Sequence, residues 1–388
     1  MPDGREELQV ETCQRLTDIP AAEWDACAGG DNPFLTHRFL TALEESASVC
    51  REEGWLPQHL LLRDSQGLLL GAMPLYLKGH SQGEYIFDYG WANAYERAGG
   101  RYYPKLLSAV PFTPVTGPRL LVRESLDPVA LQSALLSGLV QLTDRLQVSS
   151  AHVNFPPASE VSIYEDRGFL IRNGHQYHWE NRGYRDFDDF LDTLTSRKRK
   201  SIRKERRKVA ESGIRIERLT GDALTPEHWA VFYVFYQDTY DRKWGHPYLT
   251  PEFFEIVQET MRDDILLVMA YDGETPVAGA LNLIGSDALF GRNWGSDGEY
   301  KFLHFEACYY QAIDFAIERG LQRVEAGTQG EHKVQRGYRP VRTFSAHYIP
   351  NESFRDAVAE FLDHERREVT RIIDHLDDYT PFRQENEG

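Results

Sequence analysis

Apolar and polar positions along this chain alternate in two rhythms, period two and period near 3.6. Their order predicts a similar series of elements twice. In the first half, a strand is predicted over 9–15, helices over 21–28 and 36–46, and strands over 58–63, 68–77 and 85–89. A helix over 128–146, a strand over 151–155 and a turn at Gly168 follow. The second half opens with an apolar helix marked by Phe187, Phe190, Leu191 and Leu194. Next comes a basic helix that Ser196 would cap and Gly213 would end. A strand over 214–219 and helices over 226–240 and 250–261 come next. Strands over 265–271, 276–284 and 288–294, a helix over 302–319 and a strand over 323–326 complete this half. The amphipathic helix over 353–376 reads as a packing brace.

The repetition reaches individual residues. Asn32-Pro33-Phe34-Leu35-Thr36 matches His246-Pro247-Tyr248-Leu249-Thr250, each with Thr at the N-cap position of an amphipathic helix. Asp64 leads to Gly71 over seven positions, as Asp272 leads to Gly279, the mark of a strand, a tight turn and a returning strand. Phe87-Asp88-Tyr89-Gly90-Trp91 parallels Gly291-Arg292-Asn293-Trp294-Gly295 more loosely. Three pairs in one order predict two copies of one fold. Antiparallel strands followed by a helix-covered strand make that fold α/β (α+β), with mixed, mostly antiparallel sheets. The domains are expected at 1–180 and 181–350, with 351–388 a C-terminal helix packed on the core.

Composition adds little to this but excludes much. A chain of 388 residues with 41% hydrophobic and 12% aromatic content can build two packed cores and is not a disordered chain. Cys13, Cys27, Cys50 and Cys308 are scattered without a C-x-x-C pair, which suits reduced thiols. The acidic start M-P-D-G-R-E-E-L has no apolar core and does not read as a signal peptide. No apolar stretch approaches the roughly 20 residues that span a bilayer. A cytoplasmic protein without stable membrane insertion is expected.

Charge is where the chain departs from its own average. The net charge is -17, yet Arg197 to Lys208 holds nine basic side chains and one acid, Glu205. Like charges four apart disfavour a helix, and one acid does not neutralise nine bases, so a negative partner is expected. Ile202 and Val209 are too few to make an apolar face for a membrane. No helix-turn-helix, zinc or basic-zipper pattern accompanies the run.

The densest polar loop is Glu325-Ala326-Gly327-Thr328-Gln329-Gly330-Glu331-His332-Lys333-Val334-Gln335-Arg336-Gly337. It follows a strand, where α/β proteins place ligands, and its glycines allow close backbone approach. Lys333 and Arg336 can hold phosphate or steady an oxyanion, and His332 or Glu331 can act as base toward an amine. Lys198, Lys200, Arg203, Lys204 and Arg207 of the basic run join Arg336 as candidate phosphate ligands. The aromatic segment from Tyr85 to Tyr95, followed by Tyr102-Tyr103-Pro104-Lys105, supplies candidate walls of an acceptor cleft in Asp88, Trp91, Tyr103 and Lys105. Trp294 and Glu306, the latter on a polar helix face with His304 and Tyr310, join them. No cluster has metal-ligand spacing, so no metal is expected.

These segments carry a resemblance. Phe87-Asp88-Tyr89-Gly90-Trp91, Tyr102-Tyr103-Pro104-Lys105-Leu106, Lys243-Trp244-Gly245, Leu303-His304-Phe305-Glu306 and Gln329-Gly330-Glu331-His332-Lys333 resemble the FemAB-like N-acyltransferases. Those belong to the Gcn5-related N-acetyltransferase superfamily, and the likeness runs from about Asn32 to Ala346. It implies two tandem acetyltransferase-like domains and transfer of an acyl or aminoacyl group to an amine, with aminoacyl-tRNA or acyl-CoA as co-substrate and no tightly bound cofactor. The acceptor it implies is an amine of a cell-wall (peptidoglycan) precursor, a peptide or a small molecule. One departure matters. The superfamily's glycine-rich pyrophosphate signature is missing, and Arg292-Asn293-Trp294-Gly295-Ser296-Asp297 fails at its last position. This favours a polyanionic donor held by side chains rather than by a helix start. The alternative is a non-catalytic binding protein for RNA or an anionic cell-wall precursor.

Overall fold

The computed structural model of the chain describes residues 8–124, 127–243, 245–328 and 330–383. Trp244, Gln329 and residues 1–7, all used above, lie outside the described residues. Two compact units make up the chain. One is Met1–Gly174 with Thr343–Val369, and the other is His175–Arg342 with Thr370–Gly388. The divisions thus fall at 174 and 342, not at 180 and 350, and the last helix contributes to both units.

The first unit contains strands β1 (Gln9–Cys13), β2 (Trp55–Pro57), β3 (His59–Arg63), β4 (Leu69–Met73), β5 (Tyr76–Lys78), β6 (Lys105–Ser108), β7 (Leu121–Val122) and β8 (Ala151–Asn154), and the start of β9 (Leu170–Glu180). Its helices are α1 (Ala21–Ala28), α2 (His37–Glu45), α3 (Tyr89–Arg97), α4 (Pro128–Leu146) and α5 (Val161–Glu165). The order β1-β3-β4-β7 is antiparallel throughout. A second set runs β8-β6-β5-β2, with β6 and β8 parallel. Leu60, Leu62 and Met73 meet Leu131, Leu135 and Leu139 of α4 in the core. Asp127 starts α4 by accepting from the Ala130 N–H at 2.9 Å, with Pro128 in the first turn.

The second unit begins within β9 and continues with α6 (Phe187–Asp192), α7 (Ser196–Glu211), β10 (Ile214–Leu219), α8 (Pro226–Lys243) and α9 (Pro251–Met261). Then come β11 (Ile265–Asp272), β12 (Thr275–Ile284), β13 (Ala288–Ser296), α10 (Leu303–Phe305), a π-helical turn Glu306–Tyr310 and α11 (Gln311–Arg319). β14 (Arg323–Glu325), a 3₁₀ turn Glu331–Arg336 and β15 (Arg339–Tyr348) follow, and α12 (Glu352–Asp378) ends the order. Its sheet runs β10-β11-β12-β13 antiparallel, then β14 parallel to β13, then the end of β9 antiparallel to β14. Leu266, Val268 and Leu289 pack on Tyr310, Ile313 and Ala316 in its core.

Both units are therefore mixed, mostly antiparallel sheets flanked by helices, and the duplication is visible in them. Thr36 and Thr250 each accept from the N–H three residues on, Phe39 and Phe253. Both hairpins carry a register shift just before their turn, at Leu62/Arg63 and Ala270/Tyr271. Gly71 and Gly279 each let a helix close on the sheet. A Cβ would lie 3.1 Å from Leu135 in the first case and 2.8 Å from Phe232 in the second. The order β1-β3-β4-β7 corresponds to β10-β11-β12-β13.

Several expectations need correction. The predicted 68–77 strand is broken at Pro74, because a proline offers no N–H to a ladder. Its halves, β4 and β5, join different sheets. The predicted 85–89 strand is a loop that leads into α3, with Tyr85 at φ 60°. Glu84 and Asp88 both reach Lys105, and residues four apart on a strand stand roughly 13 Å apart, too far to share one ammonium. The third repeat pair is thus not equivalent, and β7 is the counterpart of β13. The 302–319 helix is interrupted by the π turn. Ser196 is the first residue of α7, with Thr195 at the N-cap making no side-chain cap bond. Gly213, at φ 84°, does end that helix.

Candidate functional site

In the second unit, β13 and β14 run parallel only as far as Phe290 beside Glu325. β13 continues to Ser296, whereas the chain after Glu325 stays bonded to β9 through Ala326 and Gly327 and no longer to β13, so an opening forms between those two strands at their carboxyl ends. The register with β12 skips one residue of β13, Arg292, making a bulge there. Gly295 of the incomplete glycine signature lies on this strand. A Cβ there would come within 2.3 Å of the Phe235 carbonyl, so its glycine serves the approach of α8.

The glycine-rich loop folds over this opening as a short 3₁₀ turn bounded by Gly330 (φ 101°) and Gly337 (φ 90°). A Cβ on Gly337 would meet Phe190 at 2.6 Å in a backbone region that L-residues avoid. Gly337→Ala is therefore expected to lower the unfolding free energy by about 2 kcal/mol or more. Gly298→Ala, which meets only Tyr300 at an ordinary 3.5 Å, serves as the control in the same chemical denaturation.

Lys333 turns inward and is 5% exposed. Its Nζ donates to the Ala326 carbonyl at 2.5 Å and stands 5.5 Å from the Tyr177 ring. Burial pushes its pKa down to about 8. The nearby Cys308 works against that shift, and Arg292 adds to it. His332 faces solvent, with Nε2 2.9 Å from the Tyr309 hydroxyl and rings of His304 and Phe305 beside it. Burial, then the charges of Arg336 and Lys333, pushes its pKa down, leaving a neutral imidazole at pH 7. Glu331 is exposed. Trp294 lies 5.3 Å from His304, ring to ring. An amine acid, a neutral imidazole and aromatic walls are thus brought to one opening.

Arg336 has a different surrounding. It is 8% exposed, lies over the Phe305 ring at 3.4 Å and donates to the His332 carbonyl at 2.9 Å. Its other arm donates to both oxygens of Glu205, at 3.1 and 3.2 Å, and Glu205 also accepts from the Tyr310 hydroxyl. Its guanidinium is held by protein groups.

The basic helix α7 has two faces. Ile202 and Val209 are buried, and at helical spacing the stripe Lys198, Ile202, Glu205, Arg206 and Val209 turns inward. Arg206 pairs with Glu306 (3.0 Å) and Asp314 (2.7 Å), and Lys198 bonds Gln335. Arg199 pairs with Asp192, Arg203 with Asp188, and Arg207 and Lys208 with Glu211. Acids outside the run thus offset much of a charge that one acid within it cannot. Among the described residues, Arg197, Lys200 and Lys204 have no carboxylate within ion-pair distance, and all three are exposed. Glu306 is 4% exposed, in the pair with Arg206.

The remaining predicted cleft residues belong to the first unit, apart from Trp294 and Glu306. Lys105 is fully buried and donates to Ser81 (2.9 Å), Glu84 (2.8 Å) and Asp88. The Tyr102 hydroxyl donates to Asp88 at 2.6 Å, and the Tyr103 hydroxyl lies 2.8 Å from Ser81. Burial raises Glu84 to about 7. For Asp88 the effect of burial is outweighed by Lys105, which holds its pKa at about 2. This trio is structural, closed off from solvent. Trp91 instead lines a half-open cavity of about 760 Å³ with Phe87, Tyr95, Arg172, Phe354 and Phe361. The sequence reading missed Glu205, Arg292, Tyr177 and Tyr309. Glu205 had a signal, as the one acid among nine bases.

Among the described residues no group of three or more His, Cys, Asp or Glu is arranged to hold a metal. Among them, too, no helix is long and apolar enough to cross a membrane.

A FemAB-like family model, described as peptidoglycan biosynthesis/recognition, matches residues 15–384. Among solved structures, FemX is similar at 12% identity and a TM-score of 0.55, covering 88% of this chain and 98% of FemX. L-PGS from Bacillus licheniformis is similar at 13% identity and a TM-score of 0.52, covering 89% and 98%. A conserved protein of unknown function from Bacteroides thetaiotaomicron is similar at 11% identity and a TM-score of 0.53, covering 88% and 100%. These likenesses show a shared fold. No curated protein matches the chain.

Proposed function

The chain belongs to the FemAB-like family, and from that membership and the second unit's opening we propose that it is an aminoacyl transferase. Its donor in this reading is aminoacyl-tRNA and its acceptor an amine of a peptidoglycan precursor. The observation that carries the reading is the placement of Lys333 and His332 on one turn at the carboxyl ends of two diverging strands. Hydrogen bonds tie that turn to a helix with cations on its outer face.

The acceptor amine attacks the aminoacyl ester carbonyl, forming a C–N bond. Collapse breaks the ester C–O bond and releases the ribose hydroxyl. His332, held neutral, takes the proton from the attacking nitrogen and returns a proton to the leaving oxygen. The Lys333 ammonium, nearly dry, faces the oxyanion of the tetrahedral intermediate. Arg197, Lys200 and Lys204 hold the donor's phosphates from outside. Positioning two substrates supplies much of the rate, and no protein nucleophile is needed.

Binding separates this donor from CoA. Bulk tRNA is expected to raise the melting temperature where CoA does not, since a ligand present at 100 times its Kd stabilises by about 2.7 kcal/mol. Changing Lys200 and Lys204 to Ala is expected to reduce the salt slope of tRNA binding by roughly one log unit per lost phosphate contact. A slope unchanged by those substitutions, or stabilisation by CoA alone, would overturn the proposed donor.

A further inference from the structure

The inward face of α7 carries two ionic ties of opposite sense, side by side. Glu205 accepts from Arg336 and Tyr310, and Arg206 donates to Glu306 and Asp314. The first tie ends on the 3₁₀ turn that holds His332 and Lys333. The second ends on the π turn and α11. Tyr309 of that π turn also meets His332 at 2.9 Å, so the catalytic turn is gripped from both sides. Glu205 and Arg336 are 12% and 9% exposed at the side chain, sheltered enough for the pair to be geometrically specific. Arg336 itself stacks on Phe305 and bonds the His332 carbonyl, which leaves it little freedom to shift without moving the turn. Lys198 adds a further tie, donating to the side-chain carbonyl of Gln335 on the same turn.

The helix has its cations on the outside and its grip on the turn on the inside. We propose that Glu205 is a positioning residue which, through Arg336, couples polyanion binding on the outer face of α7 to ordering of the turn Glu331–Arg336. Donor binding then does more than concentrate substrate. It fixes the turn that presents Lys333 and His332, so that the site is assembled when the donor is present. The inference rests on the proposed polyanionic donor.

Backbone hydrogen exchange tests it without any acceptor, using bulk tRNA as the probe. In the unmodified chain, tRNA is expected to slow exchange over both 196–211 and 331–338, the latter by about fivefold or more. In Glu205→Ala the helix should still be protected, because removing an acid leaves it at least as attractive to phosphate. The turn should no longer respond. The double variant Glu205→Gln/Arg336→Met removes both charges together, so no unpaired buried charge threatens the fold, and it should behave the same way. Turn protection that persists in both variants would overturn the coupling, as would helix protection without turn protection in the unmodified chain. If tRNA protects neither segment in the unmodified chain, the polyanionic donor itself fails and the coupling falls with it.

Discussion

Replacing Lys333 by Met is expected to abolish most of the transfer activity while making the protein more stable. The ammonium is 5% exposed, and burial brings its pKa down to about 8 from 10.5. A group with that direction of shift burdens the fold while it is charged in both states, below pH 8. The burden lifts as pH rises from about 8 toward 10.5, where the unfolded chain binds more protons than the folded one. An apolar side chain of similar length removes the burden but also the bond to the Ala326 carbonyl. A gain of roughly 1–2 kcal/mol at pH 7 is expected in chemical denaturation. Turnover is expected to fall by about 10²–10³, the usual cost of one oxyanion donor. In the unmodified enzyme, turnover should decline as pH rises through about 8, where the ammonium is lost. A variant that is both less stable and fully active would remove Lys333 from the mechanism.

The largest loss of stability is expected from Lys105→Met. That lysine sits between Glu84 and Asp88 in the first unit with no access to solvent, and its removal leaves two buried carboxylates facing one another. Losing one partner of such a group costs about 3–5 kcal/mol. The pH dependence of the unmodified fold carries the same signature in two windows. Asp88 contributes stability that is present above about pH 4 and is lost as pH falls through about 2. Glu84 acts in the opposite sense, because its raised pKa makes stability fall as pH rises from 4.5 to about 7. In Lys105→Met the protonated form of both acids is favoured, so the variant should be least destabilised near pH 4. If Lys105 instead touched an acceptor, its loss would raise KM with little change in denaturation midpoint.

Local patterning made most of the fold legible. The caps at Thr36 and Thr250, the Asp64 and Asp272 turns and the apolar periods of α4, α9 and α11 are written within a few residues of where they act. The duplication followed from them. What escaped depended on contacts distant in sequence. Asp88 reads as a strand residue until Lys105, 17 positions away, draws it and Glu84 to one ammonium and bends the loop between them. Pro74 carried the signal that splits β4 from β5, but an apolar run on both sides masked it. In the candidate site, the residue types of the turn point to the chemistry proposed for it. The partner of Arg336 did not show, because Glu205 lies 131 positions away and looked like a stray acid in a basic helix. Lys105 and Asp88 looked like cleft residues because charge beside aromatics reads the same way in a cleft and in a buried network. Only burial separates the two.

The proposed reaction moves an aminoacyl group from tRNA to an amine at the turn holding Lys333. It is tested most directly by single-turnover transfer from a pool of tRNA charged with labelled amino acids to peptidoglycan-precursor peptides that carry a free side-chain amine. Label is predicted to pass from tRNA to peptide with the unmodified protein, and to stay on tRNA with Lys333→Met. Label that remains on tRNA with the unmodified protein, while acetyl-CoA is consumed with the same peptides, would contradict the account.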